Sequence, residues 1–230
     1  MTGSVAPERA PDWLRPLLAA AKDIDAVTLS HHRIPAPVDG RRAAVLVLFG
    51  EAAAHGPDEL LMERAGTLRD HPGQVAFPGG GADPTDTDPV HTALREAEEE
   101  TGLQPAGVQP LAVLPDLYIP PSGFVVTPVL AHWERPVAVH AVDPRETAAV
   151  VRVPLAALAD PANRLRVRHP SGYVGPAFVV AGLLVWGFTG GILSALLDLG
   201  GWAQPWDTNR TLGLGEAWAS ARAGRREVAR

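Results

Sequence analysis

The chain has 230 residues, of which 46% are hydrophobic and 20% charged, and carries a net charge of −6 with histidine neutral. That length supports one substantial core and falls short of a clear two-domain count. The composition excludes a disordered chain, and nothing in it forms the basic stripe of a general nucleic-acid binder. There is no cysteine, so disulfides, thiolate metal sites and cysteine nucleophiles are excluded, which suits a cytoplasmic setting.

Residues 1–11 read as a loose lead-in without a signal-peptide pattern. Residues 12–25 place Trp13, Leu14, Leu17, Leu18 and Ala21 at helical spacing, with Pro16 in the first turns. The run AAVLVLF within 41–50 predicts a buried strand, and 60–64 a second one. Residues 72–84 read as a glycine-rich loop with a short extended piece at 75–77.

The clearest helix is Pro89–Thr101. Asp88 stands at its N-cap, Pro89 at its first position and Gly102 just past its end. Strands are expected at 108–114, 124–133, 147–153, 165–168 and 178–186. The last of these belongs to an uncharged stretch, 176–197, long enough to span a bilayer. Its β-branched and aromatic first half and the Gly190-Gly191 pair favour a strand, a turn at 187–191 and a core helix from Ile192. No membrane span is therefore expected. A short helix is expected at 215–223, ending in a frayed basic stretch. Strands and helices intermix, so the fold class is α/β or α+β with a mixed sheet. The expected organisation is the lead-in, one domain over 12–205, and a tail over 206–230.

On the 89–101 helix, Glu96, Glu99 and Glu100 stand at i, i+3 and i+4, which puts three carboxylates on one face. A Glu-rich run by itself is most often a solvated face. A hard divalent cation, Mg²⁺ or Mn²⁺, would relieve the mutual repulsion, since such ions prefer carboxylate oxygen. Arg95 can pair with Glu99 at i+4 and hold it.

Residues Arg95 to Leu103 read REAEEETGL, and Gly81 lies fourteen positions before Arg95. This stretch resembles the Nudix box, R-E-U-x-E-E-x-G-U with a leading Gly, at every fixed position but one. The box has a Glu where this chain has Thr87, and Asp86 or Asp83 could replace that carboxylate. Upstream, Leu60-Leu61-Met62-Glu63-Arg64-Ala65, Arg69, Gly73 and Phe77-Pro78-Gly79-Gly80 resemble the signature of the coenzyme A diphosphatase branch, with Met62 in place of a Thr.

The resemblance implies a Nudix fold, a mixed sheet sandwiched between α-helices with the box as loop-helix-loop. It implies metal-dependent hydrolysis of a diphosphate linkage. Glu96, Glu99 and Glu100 would be the ligands of Mg²⁺ or Mn²⁺, with Glu99, Glu96 and Arg95 carrying the chemistry. Arg64 and Arg69 would grip substrate phosphates, and Gly79, Gly80 and Gly81 would let backbone approach a phosphate closely. Glu146, just before a strand, is a further candidate for the base. The branch implies coenzyme A or acyl-CoA as substrate. Other readings are a Nudix hydrolase of ADP-ribose or another nucleoside diphosphate derivative, and a catalytically inactive Nudix-fold binding protein, the latter resting on Thr87. Many members of the family dimerise, which leaves a homodimer open.

Overall fold

A computed structural model describes residues 4–30, 37, 39–68, 71–120 and 122–228. The chain opens with 3₁₀ turns at Pro7–Arg9 and Asp12–Leu14, then α1 (Arg15–Ala21) and α2 (Ala26–Ser30). The helix expected over 12–25 starts one turn late. Pro16 falls within the first two helical positions of α1, where its missing N–H has no partner to lose.

The central strands are β1 (Arg41–Ala52), β2 (Gly56–Arg64), β3 (Val75–Ala76) and β4 (Gly79–Gly81). After α3 (Pro89–Thr101) come β5 (Val108–Val113), β6 (Leu117–Ile119), β7 (Phe124–Trp133) and β8 (Thr147–Pro154). These eight strands form one mixed sheet of order β3-β2-β1-β7-β5, with β4 on β1, β6 on β7 and β8 on β2. β1 runs parallel to β7 and antiparallel to β2. The expected fold class, helices and mixed sheet together, is what the structure shows.

Its apolar run is continuous because both faces of β1 are covered. Ala44, Leu46 and Leu48 pack with Val90, Ala93 and Ala97 of α3. Val47 and Phe49 turn to the other face, beneath Leu14, Leu17 and Leu18. Phe77 is fully buried on that second face.

The remaining elements are α4 (Leu155–Ala159), β9 (Arg164–Arg168), β10 (Val174–Val180), β11 (Leu183–Val185), α5 (Gly187–Leu199), β12 (Thr211–Gly213) and α6 (Leu214–Val228). They supply a second sheet, β11-β10-β9-β12, whose existence the sequence reading did not anticipate. Ala217 and Ala221 of α6 pack on Leu165, Val167, Ala177 and Leu184 of this sheet.

The stretch 176–197 is corrected in two ways. Its strand is a hairpin, broken by Ala181 and Gly182 at φ 51° and 74°, the left-handed pair of a type I′ turn. Its helix begins at Gly187, so Gly190 and Gly191 lie inside α5. A Cβ on Gly190 would stand 2.8 Å from the Pro176 carbonyl oxygen; the glycine serves close packing of α5 on β10, not a turn. Among the described residues no helix is long and apolar enough to cross a membrane.

Candidate active site

Helix α3 forms as its sequence predicts. The Asp88 carboxylate accepts from the His91 amide at 2.9 Å, and Gly102 takes φ 68° while its N–H donates to the Glu98 carbonyl. Val90, Ala93 and Ala97 bury one face. The opposite side lies against β4, and that contact sets the arrangement of the acidic residues.

Residues 79–81 are a strand, not the expected loop: Gly79, Gly80 and Gly81 pair antiparallel with Val45, Ala44 and Ala43. Their lack of side chains is required by close approach. A Cβ on Gly79 would come 2.3 Å from the Ala44 carbonyl oxygen, and one on Gly80 would come 2.4 Å from Glu96 Oε2. The Glu96 carboxylate therefore lies directly on the backbone of β4. The Gly79 N–H donates to Glu100 Oε2 at 2.9 Å. In this arrangement the Gly79 amide is directed at a carboxylate and holds it.

The three carboxylates are thus divided. Glu96 and Glu100 are drawn together over the glycine strand. The Glu99 side chain is 60% exposed and meets Arg95 Nη1 at 3.2 Å, as the i, i+4 spacing predicts. Burial pushes the Glu100 carboxyl up to about 7, against the pull of the Gly79 amide, and the charge of Glu96 adds to the rise. Burial also raises Glu96, with Arg95 opposing. Glu146, on the loop before β8, is near enough to push Glu100 up further, and Arg64 near enough to pull it down. The charges of two residues far away in sequence are thereby felt at Glu100.

Arg95 organises the approach to α3. Its Nε and Nη2 donate to the two oxygens of Asp86, each at 3.0 Å, and Nη2 also donates to the Gly81 carbonyl at 3.0 Å. Nη2 lies 3.0 Å from Glu96 Oε1 as well. Asp86 is held below the usual carboxylate range by that guanidinium. It acts as the clamp of Arg95 rather than as a free carboxylate beside Thr87. Asp83 accepts from the amide and hydroxyl of Thr85. The Thr87 hydroxyl donates to Asp88 Oδ2 at 3.2 Å.

These donors suit a divalent ion. All are carboxylate oxygens, which a hard cation prefers, and Glu96 and Glu100 carry the raised proton affinity of crowded, partly dehydrated acids. The donor chemistry fits. Among the described residues no three acidic or histidine side chains already converge on one point, because Glu99 faces Arg95. Arg64 stands at the end of β2 with its Nε buried and without a hydrogen-bond partner. Arg69 lies outside the described residues. Trp218, Arg222 and Arg225 of α6 gather beside Arg64. Sequence reasoning expected a short helix at 215–223 but gave these residues no role, although Trp218 and Arg222 are four apart on it and so share a face.

Residues 40–173 match the NUDIX domain. The chain is similar to proteins named as the uncharacterized Nudix hydrolase NudL. It is 39% identical over 163 residues to that of an Enterobacter species, covering 68% of this chain and 81% of the relative. It is 45% identical over 130 residues to that of Cronobacter sakazakii, covering 56% and 64%. It is 53% identical over 90 residues to that of Pectobacterium atrosepticum, covering 39% and 45%. The matched region thus spans less than two thirds of the latter two relatives. Among solved structures, the Nudix hydrolase RenU of M. smegmatis superposes with a TM-score of 0.48 and 19% identity over 73% of this chain and 89% of that one. With more than half its length inside the matching domain, the chain belongs to the Nudix hydrolase family.

Proposed function

We propose that this protein hydrolyses the diphosphate linkage of coenzyme A or an acyl-CoA, giving 3′,5′-ADP and 4′-phosphopantetheine or its acyl form. The observation that carries this reading is the pairing of Glu96 and Glu100 over the glycine strand, with Arg64 of the upstream signature acting on the same site. Nudix hydrolases generally use divalent metal ions. Mg²⁺ or Mn²⁺ held by Glu96, Glu100 and Glu99 would supply charge neutralisation at the diphosphate.

The residues divide the remaining work. Arg64 offers a guanidinium fork to a phosphate, and Arg69 of the same signature is assigned a second grip. Arg95, through Asp86 and the Gly81 carbonyl, fixes α3 against β4 and keeps Glu96 and Glu99 in place. Gly79, Gly80 and Gly81 keep that wall thin enough for a phosphate to approach. A water oxygen adds to one phosphorus, the bridging P–O bond breaks, and the water's proton passes to a carboxylate. Glu146 is assigned that role, as an acidic side chain from another element whose charge is felt at Glu100.

The test is a product assay with purified protein, Mg²⁺ or Mn²⁺, and a panel of CoA, acetyl-CoA, ADP-ribose, NADH and diadenosine polyphosphates. Release of 3′,5′-ADP from CoA, abolished by chelator, is the expected result. Cleavage of ADP-ribose in preference to CoA would overturn the substrate assignment and leave the chemistry. Silence on every substrate would overturn both.

A further inference from the structure

Arg64 has a second neighbourhood. Beyond the carboxylates it lines a cleft of about 480 Å³, walled by Pro72 and Gly73 on one side and by Trp218, Arg222 and Arg225 of α6 on the other. This volume lies within the roughly 300–1,000 Å³ of small-molecule sites. Its charges are unequal in availability. Arg225 is taken by Glu63, at 2.6 Å. Arg222 is exposed, has no carboxylate partner among the described residues, and stands 5.8 Å over the Trp218 ring. Arg64 keeps a buried, unpartnered Nε. An arginine with no carboxylate partner and a second with an unused donor thus stand beside a half-buried indole.

Gly73, at φ 69°, faces that indole across the cleft, where a Cβ would lie at ordinary contact distance, 3.8 Å, from the ring edge. The ring is one wall of the cleft. A bare anion would need only the arginines; a ring surface beside them suits a ligand with a flat, aromatic part as well.

We propose that the cleft between α6 and the segment around Arg64 and Gly73 is a subsite for a nucleoside phosphate. Its phosphate is held by Arg64 and Arg222, and its base lies against Trp218. The identification of this ligand as the nucleotide end of the substrate rests on the diphosphatase reading; the ligand chemistry does not. Arg64 lines the cleft and its charge is felt at Glu100, so one side chain would join the nucleotide subsite to the reacting diphosphate.

Adenosine 3′,5′-bisphosphate is the probe, because it has no diphosphate linkage to cleave. Calorimetric titration in the presence of chelator should show binding, with adenosine and inorganic phosphate each at least about tenfold weaker. Arg222→Gln, at an exposed position, should weaken the bisphosphate about tenfold or more. Trp218→Leu should do likewise and Trp218→Phe should restore most of the loss, with circular dichroism confirming the fold of each. No binding by the parent protein would overturn the proposal. So would unchanged affinity in folded Arg222→Gln and Trp218→Leu, or equal affinity for phosphate alone. CoA cleavage is scored separately. Cleavage with a bisphosphate affinity indifferent to these variants sinks the cleft and spares the diphosphatase reading. Variant-sensitive binding without cleavage of any diphosphate does the reverse.

Discussion

At the scale of single residues, the site depends on carboxylates brought close to backbone. Glu100→Gln keeps the volume and removes the charge, so turnover should fall by roughly 10²-fold or more, while circular dichroism and Tm stay near the parent. Near-normal turnover would refute a role for Glu100. Glu146→Gln, if this residue takes the proton, should cost about 10²–10⁴-fold in turnover with substrate affinity kept. The two glycines should separate cleanly. A methyl at Gly80 meets the end of the Glu96 side chain first, which can rotate away; Gly80→Ala should leave Tm within a few degrees and lower activity. Gly79 has φ 154° and would set its Cβ against backbone, so Gly79→Ala should cost about 1–3 kcal/mol of stability, read by denaturant unfolding. These roles were only partly legible beforehand. The spacing of Glu96, Glu99 and Glu100 could be read from periodicity, but not which carboxylate would turn outward. That depends on Arg95, whose guanidinium is shared among Asp86, Gly81, Glu96 and Glu99.

At the scale of elements, α3 was legible to the residue because its signals are local: a capping Asp, a proline at the first position, a glycine past the end. β7 was equally legible, running over Phe124–Trp133 as expected. The stretch from Pro176 to Leu199 was not. Its glycine pair suggests a turn, yet Gly190 lies inside α5 because the helix crosses β10 too closely for a side chain. Gly190→Ala should therefore destabilise by about 1–3 kcal/mol through overpacking, although alanine favours helix locally. An unchanged or raised unfolding free energy would contradict that account. The β10–β11 hairpin was missed because its turn uses Ala181 at positive φ, a position where sequence signals lead one to look for Asn or Asp.

At the scale of the whole molecule, two buried features bear on stability. Glu59 of β2 is fully buried, and neither of its oxygens has a hydrogen-bond partner. Burial holds its carboxyl well above the usual range, with a weaker opposing pull from the Leu48 backbone and a further push from Asp58. A raised folded value means that its contribution to stability is full below the unfolded value of about 4.3 and is lost as pH rises toward the folded one. Glu59→Gln should thus leave Tm near the parent at pH 4 and raise it relative to the parent at pH 8; a difference independent of pH would exclude this titration. The second feature is the seam between α6 and the second sheet. Ala217→Glu would bury a charge there, at a cost of roughly 2–4 kcal/mol, and lower Tm by roughly 4–15 °C for a chain of this size. From the sequence alone came the mixed α/β class, the strand that fills the centre, the acidic helix and the family resemblance carried by residues 60–103. Each rests on periodicity or on motifs within a few residues of one another. The division of the three glutamates, the clamp of Asp86 on Arg95, the arrival of Glu146 and the α6 arginines, and the second sheet were decided only in three dimensions. Most of them join residues that only the folded chain brings together, and no local pattern encodes which backbone will lie close enough to require a glycine or to strand a charge.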